Sequence, residues 1–270
     1  RALAQIGGGP AWKRIKEALR DESPAVRQNA AYLAGVPGDS GLTDEITPLL
    51  LDSDARVRRT AAETLGRMKD TSAVPALLAA CDSGNDRFLE HAITFALIQI
   101  NDQGQLADGL KSENFAARKA ALIALDQLKS SELTEQHVLS FLNAPEEDLR
   151  RTGLWVASRH PEWSGAILAF VEKRLRDADF AADRAEPLRE VLPAFSREKG
   201  ADELVARMLG EDAVEAPRKV FLLDVIEKSS VNPLPESWIA SIGNALTSSD
   251  ESTRWRAASV VRSRNLAQFD

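Results

Sequence analysis

The side chains able to do chemistry are few and scattered. Three histidines (His91, His137 and His160) and one cysteine, Cys81, stand in 270 residues. A His/Cys zinc site needs such ligands at short, matched spacings, and a disulfide needs two cysteines, so neither is expected. Glu90-His91 sets a carboxylate beside an imidazole, a pair that moves protons when a nucleophile stands near. No serine, cysteine or metal-ligand partner has the spacing to join it. His91 is therefore read as an imidazole hydrogen-bonded within a helical stack. Cys81, in an apolar helical segment, reads as a small buried hydrophobe. Gly7-Gly8-Gly9-Pro10 reads as a loop. It lacks the strand before it and the Lys-Ser/Thr after it that a phosphate loop requires. His160-Pro161-Glu162-Trp163 ends one helix and staples the next, because the residue before a proline avoids the α region. The expectation is no catalytic residue, no metal, no cofactor and no enzymatic activity.

Composition narrows the partners. The chain is 44% hydrophobic and 28% charged, with 15 glycines and 12 prolines. That excludes collagen-like, low-complexity and wholly disordered classes. Apolar runs such as Ile46–Leu51 fall far short of the ~20 residues that span a bilayer, so no membrane insertion is expected. Lys and Arg number 34 against 41 Asp and Glu, a net charge of −7. Nucleic-acid binding draws on a basic footprint, and the densest basic run is only Arg56–Arg59, so no nucleic-acid partner is expected. Arg1-Ala2-Leu3-Ala4-Gln5-Ile6 reads as the end of a helix, and Asp270 directly follows a helical pattern. Residues 1–270 are thus read as one solenoid domain cut from a longer protein.

The elements that would position any site come from a repeat. Val57-Arg58-Arg59-Thr60-Ala61-Ala62-Glu63-Thr64-Leu65-Gly66 is echoed by Val26-Arg27-Gln28-Asn29-Ala30-Ala31-Tyr32-Leu33-Ala34-Gly35. Ala117-Arg118-Lys119-Ala120-Ala121, Leu149-Arg150-Arg151-Thr152-Gly153-Leu154 and Thr253-Arg254-Trp255-Arg256-Ala257-Ala258 echo it again. Weaker copies lie around Glu90, Arg184 and Arg218. Anchored on the arginine position, the copies fall at 27, 58, 90, 118, 150, 184, 218 and 254, separated by 28 to 36 residues. Eight anchors at near-constant spacing mark a stack of like units. Within each, Val57, Ala61, Leu65 and Met68 exemplify one apolar helical face. A second apolar segment lies between anchors: Val74–Ala80, Val138–Leu142, Ile167–Val171, Leu204–Leu209 and Trp238–Leu246. Each unit is two helices, and period-2 strand signals are nearly absent.

Punctuation agrees. Ser23-Pro24 sets a cap before a proline at the first helical position, and Pro145, Pro217 and Pro235 mark similar starts. Thr43-Asp44-Glu45 and Ser249-Asp250-Glu251 place a hydroxyl cap and carboxylates at helix N-termini, where the dipole favours negative charge. Gly35 and Gly66, each eight residues past an anchor, read as left-handed terminators.

Two columns of side chains recur. Six residues before an anchor stands an acid: Asp21 before Arg27, Asp52 before Arg58, Asp212 before Arg218. Ser112 and Ser248 hold that place before Arg118 and Arg254. An arginine in the first turn meets the positive helix end, and a carboxylate in the preceding turn offsets this. The column reads as an aspartate ladder setting stacking register, with a charged binding stripe as the alternative. Five residues after the anchors stand Tyr32, Glu63, Phe95, Ile123, Trp155, Arg189, Leu223 and Ser259. Stacked helices line these into a stripe that either fills gaps between units or anchors a partner peptide.

The order of a helix, an Asp, then Val-Arg six residues on, Ala-Ala and Leu-Gly resembles the HEAT repeat, in its short phycobilisome-lyase-like form. The resemblance covers the whole chain. It is looser after Arg150, where Gly153, Pro187 and Phe221 replace the small alanine. It implies an all-α fold, a right-handed α-solenoid of about eight helical hairpins. Second helices would line its concave, protein-binding surface, giving candidate binding residues Tyr32, Glu63, Phe95, Trp155 and Arg189. A narrower series is Asp86-Arg87-Phe88-Leu89-Glu90-His91-Ala92, Phe95-Ala96-Leu97-Ile98, Ala120-Ala121-Leu122-Ile123-Ala124-Leu125-Asp126-Gln127, Leu154-Trp155 and His160-Pro161-Glu162-Trp163. It is similar to the HEAT segment of bacterial membrane-bound-dehydrogenase/c-type-haem proteins. That likeness implies an exported or periplasmic parent, in which this segment connects or scaffolds neighbouring domains. No Cys-x-x-Cys-His lies in it. Some HEAT-like proteins are instead DNA glycosylases that use tryptophans on a basic face; here Trp155, and Trp255 among Arg254, Arg256, Arg262 and Arg264, are the nearest match. Bilin lyase activity is the other enzymatic alternative, suggested by the repeat's name.

Overall fold

The computed structural model describes residues 9–36, 40–81, 86–128, 132–178, 180, 188, 189, 195 and 200–269. The Arg1–Ile6 segment, Gly7, Gly8, Arg184 and Pro187 lie outside them. Among the described residues the fold is all-α, with fifteen α-helices and no strand. They are α1 (Gly9–Ala18), α2 (Pro24–Ala34), α3 (Thr43–Ile46), α4 (Ala55–Met68), α5 (Val74–Ala79), α6 (Arg87–Ile100), α7 (Gln103–Gly109) and α8 (Phe115–Gln127), followed by α9 (Glu135–Leu142), α10 (Glu147–Ala157), α11 (Ser164–Arg176), α12 (Ala201–Gly210), α13 (Ala216–Lys228), α14 (Glu236–Leu246) and α15 (Glu251–Ser263). Short 3₁₀ turns extend several first helices, as at Thr47–Leu51 and Thr71–Ala73. The chain forms two compact units, Arg1–His137 and Val138–Asp270. Among the described residues no helix is long and apolar enough to cross a membrane.

Helices this short are marginal alone in water, so each depends on its neighbours. In the N-terminal unit the second helices pack in series, α2 on α4, α4 on α6 and α6 on α8. In the C-terminal unit α12 packs on α14 and α13 on α15. Val57, Ala61, Leu65 and Met68 of α4 are all buried, as the periodicity predicts. A fully buried Leu or Val side chain contributes about 1.5–3 kcal/mol.

The helix ends correct several expectations. Gly9 and Pro10 open α1 rather than lying in a loop. Gly66 lies inside α4, which ends instead at left-handed Lys69, and α6 ends at left-handed Asn101. Gly66 is small for another reason. A β-carbon there would meet Ala96 Cα at 2.7 Å, so α4 and α6 touch through it. Gly35 caps α2 with φ −87°, right-handed. Gly153, a departure from the repeat's alanine, serves close packing too: a β-carbon would stand 2.8 Å from Phe141 Cβ on α9. The Thr43 hydroxyl does not cap its helix; it donates to Asp70 Oδ2 at 2.7 Å, where it and the Ser72 N–H hold that carboxyl below the usual range.

Candidate functional site

The anchor arginines come first, because they set how second helices leave their turns. Arg27, Arg58, Arg150 and Arg254 are each the fourth residue of their helix. Each turns back past the helix start and donates to the carbonyls five and six residues earlier. Arg27 Nη1 reaches Asp21 O at 2.8 Å and Glu22 O at 3.0 Å. Arg58 reaches Asp52 O and Ser53 O, Arg150 reaches Ala144 O and Pro145 O, and Arg254 reaches Ser248 O and Ser249 O. Peptide oxygens, not the Asp21 or Asp52 carboxylates, answer the arginine of the same unit.

The side chain six residues back has a different task. Asp21 accepts from the Ser23 N–H, Asp52 from Asp54 N–H, Ser112 from Asn114 N–H and Ser248 from Asp250 N–H. These are Asx and Ser turns that shape the connection into the next helix. Serine replaces aspartate here because an acceptor oxygen is needed and a charge is not. The freed Asp52 carboxylate also takes a two-pronged hydrogen bond from Arg27 of the preceding unit, at 2.7 and 2.8 Å. That contact holds the Asp52 carboxyl below its usual range. Arg58 follows with Asp86 at 3.5 Å.

Arg218 departs. It is the third residue of α13 and bonds Leu175 O, Asp177 O and Glu215 rather than the carbonyls five and six residues before it. Entering its helix one position early, the guanidinium reaches the chain end of α11. Asp212 lines a polar cleft of about 650 Å³ with Asp250 and Lys219.

The stripe five residues past the anchors is open at some positions and closed at others. Tyr32 and Phe95 keep 42% and 49% of their surface exposed, and Glu63 between them is exposed. Ile123 is half-buried. In the N-terminal unit these side chains do not fill gaps between helices: the small Ala30, Ala31, Ala61, Ala62 and Ala96 do that, which leaves the larger groups outside. In the C-terminal unit Trp155 is 43% exposed, while Leu223 is buried. Arg189 pairs with Asp224 at 3.2 Å, and Ser259 donates to Glu227 at 3.0 Å. Arg256 joins both carboxylates, closing a network on Arg189, Asp224, Arg256 and Glu227. Burial raises the Glu227 carboxyl, but hydrogen bonds from Ser263 and Ser259 and the nearby Arg256 outweigh it, and the net shift is downward.

The sequence reading missed Phe88 and its cations. Phe88 is 64% exposed on α6, seven residues before Phe95 and on the same face. Arg59 of α4 lies over its ring at 5.4 Å, and Arg87 lies at 5.9 Å. Arg67 of α4 covers Tyr32 of α2 at 5.3 Å. Helical spacing marks Phe88 as outward and Arg87 is its chain neighbour, but Arg59 and Arg67 reach their rings from a neighbouring helix and no local pattern announces them.

His91 corrects another expectation. It is exposed and makes no hydrogen bond among the described residues; it borders an open cleft of about 220 Å³ with Cys81, Arg87, Glu90 and Lys119. Burial pushes the Cys81 thiol up to about 12, where it is not a nucleophile at neutral pH. His160 stacks on Trp163 at 3.9 Å, the staple expected there. Among the described residues no cluster of three His, Cys, Asp or Glu is placed for a metal ion. Trp255 is 71% exposed and donates to Glu251, while Arg254, Arg256 and Arg264 are engaged by carbonyls or carboxylates. The basic cluster around Trp255 is therefore largely spent within the fold.

Fold and site together define an all-α protein of packed helical hairpins whose second helices carry the exposed aromatic side chains. Residues 13–98 match the family model for HEAT repeats. No curated protein matches. Among solved structures, YibA of Escherichia coli is 12% identical, with 98% of this chain and 94% of that one covered and a TM-score of 0.42. The CpcE–CpcF complex of phycocyanin lyase from Nostoc sp. PCC7120 is 18% identical, covering 96% of each chain at a TM-score of 0.38. Human deoxyhypusine hydroxylase in complex with glycerol is 14% identical, covering 98% and 88% at a TM-score of 0.31.

Proposed function

We propose that this HEAT-repeat chain is a non-catalytic scaffold that binds a protein partner or neighbouring domains of its own parent chain. The observation that carries the reading is the exposure of Tyr32 and Phe95 on the second helices α2 and α6, where gap-filling aromatics would be buried. Exposed aromatic side chains on a rigid helical support are the usual anchors of protein recognition. The finer reading, a connector within an exported dehydrogenase/c-type-haem protein, draws support from the ordered series Asp86–Ala92 through His160–Trp163.

The test is a photo-crosslinking side chain placed at Phe95 or at Asp108 of α7, in the parent protein within its host. Discrete adducts from position 95, absent from position 108, are expected. Adducts of equal yield from both positions, or from neither, would sink the scaffold reading.

A further inference from the structure

The N-terminal unit holds cations that the fold does not neutralise. Arg27, Arg58 and Arg256 each meet a carboxylate. Arg59, Arg67 and Arg87 form no ion pair among the described residues. Arg59 Nε donates to Ala55 O at 3.2 Å, and Arg67 Nη2 to Thr64 Oγ1 at 2.7 Å. Their remaining N–H groups have no hydrogen-bond partner among the described residues, and all three guanidiniums lie over exposed rings, Phe88 or Tyr32.

A guanidinium held over a ring by cation–π attraction leaves a surface that is apolar in the middle and rich in donors at its edges. A purely apolar partner would strand those donors. A partner carrying carboxylates between apolar side chains would satisfy both, since arginine forks match carboxylates. Glu63 is the one acid of the stripe. Against the three arginines it leaves a local surplus of positive charge in a chain whose net charge is −7. That overall sign, and the acids Glu63 and Glu90 nearby, disfavour a nucleic acid, which needs a longer cationic row.

We propose that the second-helix face of the N-terminal unit, around Tyr32, Phe88 and Phe95, docks an extended acidic peptide. Its carboxylates meet Arg59, Arg67 and Arg87, and its apolar side chains cover the rings. The proposal deepens, and rests on, the scaffold reading. Neighbouring helices pack about 8–10 Å apart, so α2 to α6 spans about 16–20 Å. An extended strand covers that in about five or six residues.

The experiment pans a library of random twelve-residue displayed peptides against the full chain. Selected sequences are remade with a fluorophore and measured by anisotropy. Expected are peptides interleaving Asp or Glu with Phe, Leu or Trp. Their affinity should fall at least tenfold with Arg59→Glu/Arg67→Glu and with Tyr32→Ser/Phe95→Ser, while circular dichroism melts show both variants folded. Basic or uncharged peptides that ignore Arg59→Glu/Arg67→Glu but are lost with Tyr32→Ser/Phe95→Ser would overturn the acidic preference and leave the scaffold reading standing. Selection of no peptide family overturns both. Tight binding of a single-stranded oligonucleotide at this face, or self-association removed by Arg59→Glu/Arg67→Glu, would also overturn the proposal by naming another occupant.

Discussion

The second helices of the two units follow one plan and finish it differently. In the N-terminal unit small alanines fill the helix contacts, and the large side chains Tyr32, Phe88 and Phe95 stand outside under arginines that have no carboxylate. In the C-terminal unit the repeat's alanine gives way to Phe221, which is buried, meets Phe180 edge-on at 5.5 Å and lies beneath Arg189 at 4.5 Å. Arg189 is then tied to Asp224, and through it to Arg256 and Glu227. At the repeat's alanine position this unit thus holds a buried ring, and the arginine over it is paired within the fold. Around Phe221 the same types of residue make a closed network, while Trp155 of the same unit, with Arg159 over its ring at 5.0 Å, keeps the open arrangement.

The largest expected effect tests the closed side. Phe221→Ala should destabilise the C-terminal unit by about 3–5 kcal/mol, because a buried ring leaves a cavity and removes the floor under Arg189. Phe95→Ala, five residues past its own anchor, should cost within about 0.5 kcal/mol, as exposed positions do. Denaturant unfolding followed by amide hydrogen exchange in each unit checks both. Similar losses would break the comparison.

A smaller effect concerns close approach. Gly66→Val should cost about 1–3 kcal/mol, since the β-carbon collides with the Ala96 backbone, which cannot swing aside as the Gln99 side chain beside it can. Gly165, near the start of α11, has nothing within 4 Å of a β-carbon. Gly165→Ala should stabilise by about 0.4–1 kcal/mol by restricting the unfolded chain. Melting curves decide, and a stabilising Gly66→Val would refute the account of α4 against α6.

The smallest effect is one of pH and sharpens the turn geometry of the N-terminal unit. The hydrogen bonds from Arg27 lower the Asp52 carboxyl below its unfolded value of about 3.9. The unfolded state therefore takes up the proton first on acidification. The stabilisation is fully present above about pH 4 and is lost as pH falls through the lower folded value. Asp52→Asn should flatten that part of the stability–pH curve. An unaltered curve for Asp52→Asn would remove Arg27–Asp52 from the account.

Much of the framework was legible beforehand. The hydroxyl cap expected at Ser249 falls one residue on, at the Asp250 carboxylate, while the helical pairs among the described residues follow from local spacing. So does the start of α2 at Ser23-Pro24, since backbone satisfaction near a helix end is decided within a few residues. The column six residues before the anchors was visible as a pattern but not as a mechanism. Aspartate and serine both accept an N–H, and only the three-dimensional turn reveals that the arginine takes the carbonyls instead. Gly66 and Gly153 could be seen as small but not as contact points, because the atoms they make room for belong to other helices.

Sequence alone determined that this chain is a series of helical hairpins with outward-facing groups at fixed helical positions. Periodicity and capping are short-range properties, written into neighbouring residues. Tertiary structure decided which of those groups are open and which are closed. Whether Arg67 covers Tyr32, or Arg256 meets Asp224, depends on side chains about thirty positions apart brought together across adjacent helices. That meeting is fixed by how closely the helices pack, a quantity no local pattern contains.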